Sequence, residues 1–185
     1  MTALTQKYLR NITILFGISL IGLAFHALDD ALVTREPDWY SIGVAEFLLY
    51  VALIYLIVPP IGLWLTRRNA NWFGIVILAA YAFQAFYGAG LNHVRHLFGN
   101  FSGSQLLPMI LNALGVNYQA ALNQPGFWPV VMNMAGLGVT PPHTHTFLSN
   151  VIVFCNIGIN IALGAHVFLL AREKIKSRRV SESPR

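Results

Sequence analysis

Four stretches of the chain are long and apolar enough to cross a lipid bilayer. They cover about residues 12–28, 42–65, 71–91 and 146–171. A helix needs roughly 20 apolar residues to span the hydrocarbon core, and only a backbone that satisfies its own hydrogen bonds persists there. Pro59 and Pro60 predict a kink or an end late in the second stretch. The sequence therefore predicts an all-α integral membrane protein, folded as a four-transmembrane-helix bundle.

The composition excludes the common soluble classes of protein. Of the 185 residues, 56% are hydrophobic and only 10% are charged, whereas a soluble domain usually carries about 25% charged residues. The net charge of +5 comes from residues at the chain ends and in one turn, so it does not form the basic stripe that binds nucleic acid. The single cysteine, Cys155, excludes a disulfide framework. We expect membrane lipid to be a partner of this chain and nucleic acid not to be one.

The basic residues predict the orientation of the chain in the membrane. Ten of the twelve Lys and Arg residues precede the first stretch, lie between the second and third, or follow the fourth. Because cytoplasmic loops carry the excess of Lys and Arg, both termini are predicted to be cytoplasmic, with the chain in a bacterial inner membrane. We expect residues 1–175 to form a single membrane-embedded domain and residues 176–185 to form a flexible cytoplasmic tail.

The segment between the third and fourth stretches is unusual because it is uncharged. Residues 96–171 contain no Asp, Glu, Lys or Arg, and an uncharged segment of this length is not expected to stand in water as a loop. Residues 97–140 are predicted to form short extracytoplasmic or re-entrant helices, for example over 104–114 and 127–135, or a lid over the bundle. Two further spans are the alternative, and they would leave both termini on the same side.

Five of the six histidines fall at the predicted extracytoplasmic ends of the spans. These are His26 at the end of the first span, His93 and His96 at the end of the third, and His143 and His145 before the fourth. His166 alone lies near the cytoplasmic end. Metal sites in helical bundles are built from such side chains on facing helices, so the pattern predicts a site in one thin layer at the extracytoplasmic boundary.

Carboxylates stand close to these histidines. Asp29 and Asp30 follow His26 by three and four residues, which puts them on the same helical face. Glu46 lies about one turn inside the second span, where an ionised side chain needs a partner. Imidazole and carboxylate groups together suit copper, iron or zinc. The predicted metal ligands are His26, Asp30, Glu46, His93, His96 and His145, with Asp29 as an alternative carboxylate.

Three functions remain open on this pattern. The first is a membrane metalloprotein, an oxidoreductase that acts on a lipophilic substrate at the extracytoplasmic end of the bundle. The second is an electron-transfer subunit that holds one haem b through His26 and either His93 or His96, close to a quinone. The third is a non-catalytic accessory subunit whose uncharged surface contacts partner membrane subunits. The sequence assigns no catalytic residue.

Overall fold

The fold is described for residues 3–91, 93–94, 112–117, 125–135, 137 and 143–182 in a computed structural model. Its helices are α1 (Ala3–Leu32), α2 (Glu36–Trp39), α3 (Val44–Val51), α4 (Val58–Asn69), α5 (Trp72–Phe86), α6 (Phe127–Met134) and α7 (Phe147–Glu182). Two π-helical segments accompany them: Ala52–Ile57 joins α3 to α4, and Tyr87–Leu91 continues α5. The described part of the chain is therefore all-helical, as the sequence predicts.

Four helices in this described part are long and apolar enough to cross a membrane. They run over Ala3–Leu32, Val44–Arg68, Trp72–Leu91 and Phe147–Arg178, so the four predicted spans are confirmed as helices. The first and last helices continue beyond their apolar stretches. Their extra turns carry exposed basic side chains such as Lys7 and Arg172, whose charged ends reach water while the backbone hydrogen bonding continues.

Pro59 and Pro60 do not end the second span. They lie in the first turn of α4, where a helix has no partner for the N–H group that proline lacks. The π-helical segment Ala52–Ile57 comes directly before them. The interruption that the sequence predicts is therefore a local change of helix type, and the span continues to Arg68.

Helices α1 and α7 pack antiparallel and are joined by polar side chains. Near the start of α1, Asn11 Nδ2 lies 2.9 Å from His166 Nε2. Further along, the buried Ser19 hydroxyl donates to Asn160 Oδ1 at 3.0 Å, and the Tyr81 hydroxyl on α5 lies 3.0 Å from Ser19 Oγ. Hydrogen bonds of this kind join neighbouring helices in membrane bundles, and here they fix the register of three spans.

Large apolar side chains cover the outside of the bundle. Ile21, Phe73 and Phe168 expose 63%, 66% and 68% of their surface, and similar side chains line all four long helices. Monomeric soluble proteins rarely expose continuous apolar patches larger than a few hundred Å². The exterior is therefore that of a membrane protein whose helices face lipid.

Helices α4 and α5 approach each other closely at Gly74. A Cβ atom at this position would lie 2.6 Å from the Gly62 carbonyl oxygen and 2.7 Å from the Thr66 backbone nitrogen. Both neighbours are backbone atoms, so they cannot move aside as the end of a flexible side chain can. Glycine at position 74 is what allows the second and third spans to pack this tightly.

We expect Gly74→Ala to destabilise the protein by about 1–3 kcal/mol, because the added methyl group overpacks this helix contact. The measurement is the thermal unfolding midpoint, Tm, of the detergent-purified protein. Gly17→Ala is the matched control, because a Cβ there meets nothing within 4 Å and alanine is the better helix former. Equal Tm values for the two variants would contradict the close contact.

Candidate metal centre

Four side chains from three segments meet at one end of the bundle. His26 and Asp30 lie in the last turns of α1, His93 follows the π-helical segment Tyr87–Leu91, and His145 precedes α7. One ligand atom from each of the four lies within 4.8 Å of the others. The structure thus brings together four of the six predicted ligands, although they are far apart in the sequence.

Asp30 and His26 are both held on the inner face of α1. They are separated by four residues, which places them one above the other on a helix, and His26 Nε2 lies 3.7 Å from Asp30 Oδ2. His26 is only 3% exposed and Asp30 only 9%. The other carboxylate oxygen, Asp30 Oδ1, is buried and lies 3.4 Å from His145 Nδ1, without the geometry of a hydrogen bond. A carboxylate in such an environment is stabilised by a cation close to it.

The two ring nitrogens of His26 have different neighbours. Nδ1 lies 2.7 Å from the Ser149 hydroxyl oxygen on α7, and Nε2 lies 3.1 Å from Nε2 of His93. With Nδ1 donating its hydrogen to Ser149, the lone pair on Nε2 points at the His93 ring. A second-shell hydrogen bond of this type fixes the tautomer and the ring orientation of a metal-bound histidine.

His145 is oriented by Asp29 in the same way. Its Nδ1 lies 3.1 Å from Asp29 Oδ2, and its Nε2 lies 3.0 Å from Nε2 of His143. Asp29 also accepts a hydrogen bond from the Thr146 hydroxyl at 2.7 Å, so it holds the segment that leads into α7. His145 Nδ1 thus lies near both carboxylates and closest to Asp29, and Asp30 is the carboxylate that also faces His26.

Burial and, to a lesser extent, the neighbouring His143 lower the pKa of His145 to about 4, although Asp29 opposes both effects. The His145 ring is therefore neutral at pH 7. A metal ion needs the neutral imidazole, because the proton and the metal compete for the same lone pair. This ring is ready to bind a metal at pH 7 without first losing a proton.

The distances from His26 to His93 and to Asp30 are close to those between two ligands of one metal ion. Four ligands at about 2.1 Å from a tetrahedral ion lie about 3.4 Å from one another. The 3.1 Å between the His26 and His93 nitrogens and the 3.7 Å between His26 and Asp30 fall on either side of that value. Three imidazoles and one carboxylate are a donor set that copper, iron and zinc all accept.

The structure does not bring Glu46 to this group. Glu46 is exposed on α3 and accepts a hydrogen bond from the Tyr50 hydroxyl one turn later. The neighbouring Phe47 is fully buried, so α3 turns its apolar face inward and Glu46 outward. His96, the remaining predicted ligand, lies outside the described residues.

The two other histidines differ in their surroundings. The ring of His143 lies 4.6 Å from that of Trp39 and faces His145, so it forms the outer side of the site. His166 lies at the opposite end of the bundle, where it contacts Asn11 and the carbonyl oxygen of Ala162, 2.8 Å from its Nδ1. It takes no part in the site, as the sequence predicts.

A cavity of about 50 Å³ adjoins His26, Asp30 and His93, and a carboxylate that the sequence does not predict as part of the site also lines it. Glu36, at the start of α2, is buried in its wall. Its Oε1 accepts hydrogen bonds from the Tyr40 hydroxyl at 3.1 Å and from Asn133 Nδ2 at 2.5 Å. The contact between Glu36 and Tyr40 could be predicted, because the two residues are one helical turn apart. The contact with Asn133 could not, because Asn133 lies on α6 and no local sequence pattern connects α6 with α2.

The comparisons with protein-family models, with curated proteins and with solved structures find no match for this chain. Its function is therefore inferred from the geometry of the site.

We expect Glu36→Gln to stabilise the metal-free protein at pH 8 more than at pH 5. Burial raises the pKa of Glu36 to about 7 from an ordinary 4.5, so the folded protein holds a proton that the unfolded chain releases between these two values. Stability is therefore lost as the pH rises from about 4.5 to 7, by about 3 kcal/mol in all. Glutamine removes this loss and still accepts both hydrogen bonds.

The measurement is Tm in detergent at pH 5 and pH 8, with a chelator present. Glu46→Gln is the matched control, because that carboxylate is exposed. A Glu36→Gln protein whose gain in Tm is the same at both pH values would disprove the buried, pKa-raised carboxyl group.

Proposed function

We propose that this chain is a membrane metalloprotein that binds one transition-metal ion through His26, Asp30, His93 and His145. The observation that carries the proposal is the convergence of these four side chains, from three separate segments, on a space the size of one ion. A buried carboxylate beside neutral imidazoles is a costly arrangement without a cation. The same arrangement becomes favourable when an ion shares its charge with the carboxylate.

The geometry favours a bare ion over a haem. Two histidine nitrogens on opposite sides of one iron lie about 4 Å apart, at about 2 Å per bond, with the porphyrin between the rings. The His26 and His93 nitrogens are 3.1 Å apart and their ring centroids 4.5 Å apart. The adjoining cavity of about 50 Å³ holds on the order of four water molecules, far less than a macrocycle needs.

The proposal includes the orientation of the protein. The site is at the end of the bundle opposite Arg67 and Arg68, which end the second span, and opposite the basic residues of α7. The positive-inside rule then puts both termini in the cytoplasm, and the metal at the extracytoplasmic boundary of a bacterial inner membrane.

We extend the proposal to an oxidoreductase that acts on a lipophilic substrate. A copper or iron ion at this position would supply one-electron chemistry. Glu36 lines the same cavity as His26 and Asp30, and with a pKa of about 7 it can accept or release a proton near neutral pH. The small cavity limits the water that reaches the ion, which strengthens the electrostatic interactions inside it.

Metal titration tests the ligand set. We expect the detergent-purified, metal-stripped protein to bind one Co²⁺ per chain, followed by its visible absorption. His26→Ala, His93→Ala, His145→Ala and Asp30→Asn should each weaken binding by about 100-fold or more, because each removes a direct ligand.

Two matched controls belong to this titration. His166→Ala removes a histidine and Glu46→Gln a carboxylate, both away from the four ligands, and neither should change the affinity for Co²⁺. Binding that is insensitive to the four ligand substitutions, or equally sensitive to the controls, would reject the site.

Elemental analysis of protein purified from membranes, without added metal, tests the chemistry. We expect about one copper or iron atom per chain, lost in His93→Ala, and no Soret absorption band. Zinc in place of copper or iron would keep the metalloprotein and reject the oxidoreductase. Protein without metal would instead favour an accessory subunit of a larger membrane complex.

A further inference from the structure

An apolar groove of about 270 Å³ lies between α1 and the second span, on the outside of the bundle. Ala24 and Leu28 line it from α1, and Ala52 and Leu56 line it from the π-helical segment. All four residues belong to helices long and apolar enough to cross a membrane. Leu28 and Leu56 remain 45% and 49% exposed, so the groove opens on the surface that faces lipid.

The groove adjoins the cavity of the metal centre. Leu23, Ala27 and Tyr55 line both spaces. These three side chains form the wall between the groove and the cavity. Leu23 precedes His26 by three residues and Ala27 precedes Asp30 by three, so each lies one turn from a proposed ligand. The groove therefore extends from the lipid-facing surface to the side chains that also wall the cavity beside the proposed metal ligands.

The two π-helical segments line these two adjacent spaces. Ala52–Ile57 contributes Ala52, Tyr55 and Leu56 to the groove, and Tyr87–Leu91 contributes Gly88 and Ala89 to the cavity. Short π-helical turns inside α-helices occur frequently at functional sites. A π-helical segment beside each of the two spaces distinguishes this arrangement from an ordinary groove between helices.

We propose that this groove admits the alkyl chain of a membrane-dissolved amphiphile, whose small polar end reaches the metal cavity. This inference rests on the proposed metal centre and names its substrate class. A dry apolar cavity of about 150 Å³ holds one benzene molecule, so a groove of about 270 Å³ has room for a segment of alkyl chain. The cavity of about 50 Å³ admits only a small polar group.

Tyr55 is placed to select for such a ligand. Its ring separates the groove from the cavity, and its hydroxyl oxygen accepts a hydrogen bond from Gln84 Nε2 at 3.3 Å. The phenolic hydrogen is then left to donate to a second group. A polar end that accepts a hydrogen bond, such as a hydroxyl or carbonyl oxygen, would satisfy it at the point where the chain passes from groove to cavity.

Two hydroxamates that differ only in chain length test the inference. Acetohydroxamate and decanohydroxamate carry the same metal-chelating end, and their binding is read from the visible absorption of the Co²⁺-loaded protein in lipid nanodiscs. Ala24→Leu and, independently, Ala52→Leu fill the groove without touching a proposed ligand. Ala80→Leu is the matched control, because Ala80 is exposed on α5.

We expect Ala24→Leu and Ala52→Leu to weaken decanohydroxamate binding at least tenfold while acetohydroxamate binding stays within twofold of wild type. Ala80→Leu should change the binding of neither hydroxamate. Because decanohydroxamate enters the same bilayer with this variant, the control separates binding in the groove from partition into lipid. Decanohydroxamate binding that is unchanged in both groove variants, or no spectral change with either hydroxamate, overturns the inference and leaves the metal centre intact. Failure of the wild-type protein to bind Co²⁺ rejects the proposed function itself.

Discussion

The structure depends on how it accommodates two adjacent carboxylates at the buried end of α1. Asp29 and Asp30 are each 9% exposed, in a part of the protein where an isolated charge is very costly. Asp29 is compensated by hydrogen bonds from the start of α7, through Thr146 and His145. Those bonds join the end of the first span to the beginning of the last. Asp30 lies one residue further, about 100° around the helix, and so faces the imidazoles.

The hydrogen bonds that hold the histidines to Ser149 and Asp29 explain why the cluster can be rigid without an ion. A metal centre holds its geometry when each ligand is itself held by a second partner. His26 has Ser149 and His145 has Asp29, and both partners belong to packed helix ends. These side chains would therefore lose little freedom if an ion bound, and the hydrogen bonds of Ser19, Asn160 and Tyr81 deeper in the bundle keep the helices in register.

The spans were predictable from the lengths of the apolar stretches, and the four side chains that meet were predictable because they lie at the same end of the predicted bundle. Apolar runs of sufficient length can only be helices in lipid, and His26 with Asp30 shares a face by helical periodicity. Glu46 was predicted as a ligand from its depth in the second span, but depth does not say which way a side chain points. Packing decides that, and it buries Phe47 instead. The sequence does not predict the buried position of Glu36, because its partner Asn133 belongs to an uncharged segment without a regular spacing of apolar residues.

The two ends of the α1–α7 pair show why a histidine alone does not make a metal site. His166 Nδ1 must donate to the carbonyl oxygen of Ala162, and its Nε2 then accepts from the Asn11 amide. Both of its nitrogens are thus used within one pair of helices, by groups that are not imidazoles. At the other end, His26 Nε2 meets an imidazole nitrogen beside a buried carboxylate. Imidazole nitrogens that face each other beside a carboxylate can share a cation as well as a hydrogen, and this difference separates a structural histidine from a candidate ligand.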